Sequence, residues 1–215
     1  MQSKINYQLE TDRLLNALPT DRVPVLFLHA CCAPCSSYVL EYLSQYFAIT
    51  LFFYNPNIAP EEEYLHRKAE LKRLVQTMPL SHPVTILDGD YAPERFYALA
   101  KGLEQEPERG ARCQKCIGHR LEESFRAAAM QTPAPDFVCT TLTISPHKDA
   151  VFINTRGAEL AEQYGIPWLP TDFKKKGGYQ RSIALSREYD LYRQNFCGCV
   201  YSRLEAERRE QQHNS

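Results

Sequence analysis

The feature that most constrains this chain is a series of short apolar runs, each followed by an amphipathic stretch. "VPVLFLHA", "AITLFFYNPNI", "PVTILDGD" and "DFVCTTLTI" have the length of strands, and turn residues bound them. Continuous apolar runs of this kind belong to strands covered on both faces, as in a parallel sheet. Between them apolar residues recur at helical spacing: Val39, Leu40, Leu43 and Phe47 after the first run, then Tyr64, Leu71, Leu74, Val75 and Met78 after the second. Strands alternating with helices imply βαβ units, hence an α/β fold with a doubly wound, mostly parallel sheet. "IPWLP" offers a short fifth strand.

Local signals sharpen the elements. Ser36 or Ser37 is placed to cap the helix after the first strand. Pro60, followed by Glu61, Glu62 and Glu63, opens the next, with its acids at the positive helix end. Pro93 to Leu103 reads as helix, as does "RCQKCIGHRLEESFRAAAM" with its cysteines in the first turns. "VFINTRGAELAEQYG" reads as a helix stopped by Gly165. "TDFKKKGGYQRS" reads as a polar loop, and "ALSREYDLYRQNFCGCVYSRLEAERREQQ" ends in a helix. One domain is expected over residues 1–215, with 1–20 as an N-terminal extension and 206–215 as a charged, frayed tail.

No apolar run approaches the roughly 20 residues of a membrane span. The first twenty residues include Lys4, Glu10, Asp12 and Arg13, without the apolar stretch of a secretory signal. The expectation is a cytoplasmic protein with no membrane partner. There, eight cysteines point away from a disulfide scaffold and toward metal binding or redox chemistry. Seven are clustered: Cys31, Cys32 and Cys35 in "HACCAPC", Cys113 and Cys116 in "RCQKC", Cys197 and Cys199 in "FCGC". Cys139 stands alone in an apolar strand and reads as a packed small hydrophobe.

Cys113 and Cys116, three apart on a helix, share a face and can grip one metal or cluster; a thioredoxin-like disulfide fits that spacing too. Adjacent Cys31 and Cys32 suit an iron–sulfur cubane, whose separate corners can each take a neighbour, better than one tetrahedral zinc. Cys31, Cys32, Cys113 and Cys116 make a four-thiolate set for a [4Fe–4S] cluster, with a structural zinc on the same four cysteines the rival. Cys35 is either a further ligand or a core residue. Cys197 and Cys199 read as a dithiol that delivers two electrons, or as extra metal ligands; glycine between them allows tight closure. His29 reads as structural and His147 as a site candidate, while His66 and His119 are expected to face water. In open α/β sheets ligands lie beyond the carboxyl ends of the strands, which is where Cys31, Cys32, Asn55, Asn57 and His147 fall.

"HACCAPC", "FYNPNI" with "EEYLHR", "RCQKCIGHRLE", "TTLTISPHKD" and "FKKKGGYQRSIALSREYDLYRQNFCGCVYS", in that order, resemble the QueH type of epoxyqueuosine reductase. The resemblance implies a cobalamin-independent enzyme for the last step of queuosine synthesis. It implies a [4Fe–4S] cluster on Cys31, Cys32, Cys113 and Cys116 and a redox-active pair at Cys197 and Cys199. An iron of the cluster, or an iron ion beside it, would activate the epoxide. The implied partners are tRNA carrying epoxyqueuosine at the anticodon wobble position and an electron donor that no motif identifies. The sheet would resemble the adenine-nucleotide alpha-hydrolase-like (HUP) layer, although cysteines replace a glycine-rich phosphate loop after the first strand, which argues against an ATP-dependent enzyme. A zinc-stabilised tRNA-binding domain without redox activity is the remaining alternative. Thr171 to Arg203 carries seven basic side chains against three acidic, net +4, interleaved with Tyr179 and Tyr192, and reads as an RNA-binding segment.

Overall fold

The computed structural model describes residues 5–213. In chain order the elements are α1 (Tyr7–Asn16), β1 (Val25–Ala30), α2 (Ala33–Leu43), β2 (Ala48–Phe53), α3 (Glu61–Thr77) and β3 (Val84–Asp88). They continue as α4 (Pro93–Ala100), α5 (Ala111–Ala129), β4 (Phe137–Thr140), α6 (Ala150–Tyr164), α7 (Gly178–Glu188) and α8 (Val200–His213). The strands form a sheet of order β3-β2-β1-β4, every pair parallel. This is the α/β architecture that the alternation of apolar runs implies.

Strand alternation sorts the side chains to two cores. Leu26, Leu28, Ala30, Ile49, Leu51 and Phe53 pack on one face with α2, α3 and Phe173. Phe27, Phe52, Tyr54 and Val138 pack on the other with Ile117, Leu121 and Phe125 of α5 and Ile153 and Leu160 of α6. Leu26, Leu28, Leu51 and Phe53 are wholly buried, and each such side chain contributes about 1.5–3 kcal/mol. Strand order reverses between β1 and β4, so the crevice at their carboxyl ends is the topological switch point.

Several elements differ from expectation. "IPWLP" makes only an isolated bridge, Trp168 to Val138, at the β4 edge. The fourth run is strand only to Thr140; its hydroxyl then accepts from the Leu142 N–H and starts a 3-10 turn over Thr141–Ile144. Helix α2 begins at Ala33 with Cys32 as its N-cap, so Ser36 and Ser37 lie inside the helix. Their hydroxyls donate to the carbonyls of Cys32 and Pro34, the usual outlet for serine within a helix. Pro60 is the N-cap of α3, and α4 stops at Ala100. The expected frayed tail is helical as far as His213, with Ala206 buried. The expected extension contains α1, tied down by Leu15 in the core and by a Thr11 hydroxyl that donates to the Pro170 carbonyl at 2.7 Å. Residues 1–4 and 214–215 of those two segments lie outside the described residues.

Candidate active site

The first cysteine cluster sits where β1 gives way to α2. Cys32 is extended (φ −171°), and Pro34 occupies the first turn behind it. That bend brings the sulfurs of Cys31, Cys32 and Cys35 within 4.8 Å of one another, a group able to bind a metal ion. Cys35 therefore faces Cys31 and Cys32 while also packing against the core beneath α2. Thr141, at the end of β4, steadies the turn: its Oγ1 accepts from the Cys31 N–H at 3.3 Å and lies 3.5 Å from Cys31 Sγ. Hydrogen bonding with the thiols of Cys31 and Cys35 holds the Cys32 pKa well below the usual thiol range. His29, beneath the turn, is wholly buried between Thr140 Oγ1 (2.9 Å) and the Tyr54 carbonyl (3.1 Å). Burial, aided by the Arg120 charge, pushes its imidazole down to about 4, so it is the structural residue expected.

Cys113 and Cys116 lie in the first turns of α5, as their spacing predicts. Burial pushes the Cys116 thiol up to about 11. The start of α5 is fixed by Arg112, whose Nη1 donates to the carbonyls of Leu103, Glu104 and Glu106 and whose guanidinium lies 4.5 Å from the Tyr201 ring centre.

Cys197 and Cys199 occupy the loop before α8. Gly198 has φ +131°, and its carbonyl accepts from the Ala59 N–H at 3.0 Å. A side chain there would meet Ile58 at 2.9 Å and Arg67 at 3.2 Å, so glycine is required by conformation and by space. Arg67, buried on α3, donates to the Cys197 carbonyl at 3.0 Å, pairs with Glu63 and lies over Phe196. Cys199 caps α8: its sulfur accepts from the Ser202 N–H at 3.4 Å.

Two adjoining cavities join these pieces. The larger, about 390 Å³, opens beside Cys31, Cys32 and Cys35; the smaller, about 20 Å³, lies between Cys113, Cys116 and Cys199. Glu108, Arg120, Lys148 and Cys197 line both. The expected four-thiol set thus lies as two pairs around a shared seam. Arg120 is buried there, donating to Asn55 Oδ1 at 3.1 Å, while its Nε has no partner. Burial opposes its charge, and the sulfurs of Cys116, Cys197, Cys31 and Cys113 favour it. Asn57 Oδ1, also at the smaller cavity, has no partner either. The convergence of thiols beside a buried guanidinium with no carboxylate bonded to it among the described residues fits an anionic thiolate-held metal group.

Cys139 is wholly buried, and burial pushes its thiol up to about 12, as fits a packed hydrophobe. His147 is exposed on the rim of the larger cavity, where its Nδ1 lies 3.2 Å from Arg109 Nη2. His66 is exposed and stacks on Tyr192. His119 does not simply face water: its Nε2 pairs with the Tyr54 hydroxyl at 2.9 Å, and burial lowers its pKa. The basic segment also differs from expectation. Lys174 pairs with Asp172, Lys176 with Asp12 and Arg181 with Glu41, so much of its charge is neutralised within the protein. The exposed cations at the cavity itself are Arg193 and Arg209, with Tyr179 beside them. Arg67, Glu108, Arg120 and Lys148 were not singled out from the sequence. Three of them fall inside the motifs quoted above, and a single charged residue carries no periodicity to reveal it.

A sequence profile of the family described as epoxyqueuosine reductase QueH matches residues 26–205. The chain is 40% identical to a protein of that name from Streptococcus pyogenes, over 93% of this chain and 78% of that protein. It is 39% identical to one from Staphylococcus epidermidis (94% and 86% covered) and 34% identical to one from Thermotoga maritima (84% and 91%).

Proposed function

Because the chain belongs to the QueH family of epoxyqueuosine reductases, it is an oxidoreductase, and we propose that it reduces epoxyqueuosine to queuosine in tRNA without cobalamin. The observation that carries the assignment of residues is that Cys197 lines both cavities, between the thiols of Cys31 and Cys32 and those of Cys113 and Cys116. In this reading Cys31, Cys32, Cys113 and Cys116 hold a [4Fe–4S] cluster, Arg120 balances its charge, and Cys197 with Cys199 forms the redox dithiol. When bound, such a cluster supplies one-electron transfer and a Lewis-acidic iron, its own or one beside it. A zinc-stabilised tRNA-binding domain without redox activity does not fit membership of a reductase family.

The chain's own residues supply the rest. Removing the epoxide oxygen as water takes two electrons and two protons, which one dithiol provides on becoming a disulfide. The larger cavity lies within the roughly 300–1,000 Å³ of pockets that bury small ligands, and it admits an extruded wobble base. Tyr179 and Phe196 offer aromatic faces to that base, and Arg193 and Arg209 on the rim suit the flanking phosphates. An external electron donor restores the dithiol. A cytoplasmic setting suits eight unpaired thiols, and among the described residues no helix is long and apolar enough to cross a membrane.

Anaerobic purification followed by iron and sulfide assays tests the cluster; zinc alone in fully active protein would refute it. Cys197→Ser is expected to abolish turnover while leaving the visible absorption of the cluster intact. Unchanged turnover would remove the dithiol from the mechanism.

A further inference from the structure

Lys148 belongs to no element; it stands between the end of β4 and the start of α6, one residue before the Asp149 N-cap. Its side chain is only 8% exposed. Burial of an ammonium is costly unless an anion meets it. The group it meets is a sulfur: Nζ donates to Cys197 Sγ at 3.0 Å, a short contact for N–H···S, while the Glu108 carboxylate is farther, at 4.0 Å. Lys148 also lines both cavities, beside the space that the proposed function gives the substrate.

We propose that Lys148 is a catalytic residue of the reduction: it holds Cys197 as a thiolate, keeps that thiol's proton as its own, and delivers it to the epoxide oxygen. The inference rests on Cys197 being a redox thiol. The charged groups facing that sulfur support it. From the loop before α6 comes Lys148, from α5 Arg120, and from the loop before α5 Glu108; Cys113, Cys116 and Cys199 stand around, and Arg67 of α3 bonds the Cys197 carbonyl. Burial raises the Cys197 pKa and Glu108 raises it further, but Lys148 and Arg120 outweigh them and leave it below the ordinary thiol value. Reciprocally, burial works against the Lys148 charge, and the Cys197 sulfur more than restores it.

The step balances. It starts from the Cys197 thiolate with the Lys148 ammonium, the Cys199 thiol and the epoxide. Both C–O bonds break and one S–S bond forms; each sulfur gives up one electron, and the two carbons take the pair as an alkene. One proton from Lys148 and one from Cys199 leave with the oxygen as water, and Lys148 is left neutral. Once Cys197 sulfur is in the disulfide, Lys148 keeps only the distant Glu108, so its proton is released where it is needed. A two-electron dithiol reductant then restores the Cys197 thiolate, the Cys199 thiol and the Lys148 ammonium, its own two protons going to Cys199 and Lys148.

The test uses pre-reduced holoenzyme and three proteins: wild type, Lys148→Met and Lys148→Arg. Alkylation of Cys197 by iodoacetamide is followed against pH by peptide mass spectrometry, alongside single-turnover rates on epoxyqueuosine-bearing tRNA. Lys148→Met is expected to slow Cys197 alkylation at pH 7 by about tenfold or more. Lys148→Arg is expected to keep alkylation near wild type yet lose about a hundredfold in single-turnover rate, because a guanidinium holds charge but does not release its proton. Wild-type alkylation in Lys148→Met overturns the thiolate role; wild-type turnover in Lys148→Arg overturns proton delivery. Full turnover by Cys197→Ser would instead dismiss the redox dithiol, an outcome the alkylation profile reads separately.

Discussion

At Gly198 a single missing Cβ decides how the dithiol loop sits. Its φ of +131° is open essentially to glycine alone, and the nearest atoms belong to Ile58 and Arg67. Gly198→Ala is therefore expected to cost about 1–3 kcal/mol, read by denaturant unfolding. It should also lower turnover, since the loop must shift away from Ala59 and Arg67. An alanine variant with wild-type stability and rate would mean that the loop relaxes freely. "FCGC" is legible in the sequence as a glycine-spaced pair. What holds it is not, because Arg67 and Ala59 lie more than a hundred residues earlier and meet it only in the folded chain.

Among the elements, β1 carries the site, and its start is fixed from a distance. Asp136, just before β4, accepts from the Val25 N–H and from Arg22, both at 2.8 Å. The Arg22 bond, with the Val25 bond helping, holds the Asp136 pKa below the ordinary carboxylate value. Because the folded value is the lower one, this contribution is present above about pH 4 and is lost as pH falls through the folded value. Asp136→Ala is expected to cost about 1 kcal/mol in urea unfolding at pH 7, and the gap to wild type should narrow as pH falls through the folded value. A gap unchanged by pH would assign the loss to packing. The strands and most helices are legible because period and punctuation mark them. The fifth strand fails because Pro167 and Pro170 flank Trp168 and leave room for one bridge. The tail reads as frayed from charge alone, whereas Ala206, packed inward, keeps α8 in place.

For the molecule as a whole, the sequence locates the crevice correctly, since strand order fixes where carboxyl ends meet. It overstates the free charge of residues 171–203, because counting cations along a segment ignores the acids that folding brings beside them. Asp12 reaches Lys176 and Glu41 reaches Arg181 only in three dimensions. Arg193→Ala and Arg209→Ala are accordingly expected each to reduce the slope of log affinity for tRNA against log salt by about one. Lys176→Ala should leave that slope unchanged; the reverse ranking would restore the lysine run as the contact. The strapping of the dithiol loop has one more consequence. With Ala59 and Arg67 both bonded to it, the pair has no slack to swing outward, and its half-buried member, Cys197, faces the larger cavity. Under the proposed function, the reductant that recharges the sulfurs and the anticodon share this one mouth, so the two take turns and initial-rate plots against them are expected to run parallel.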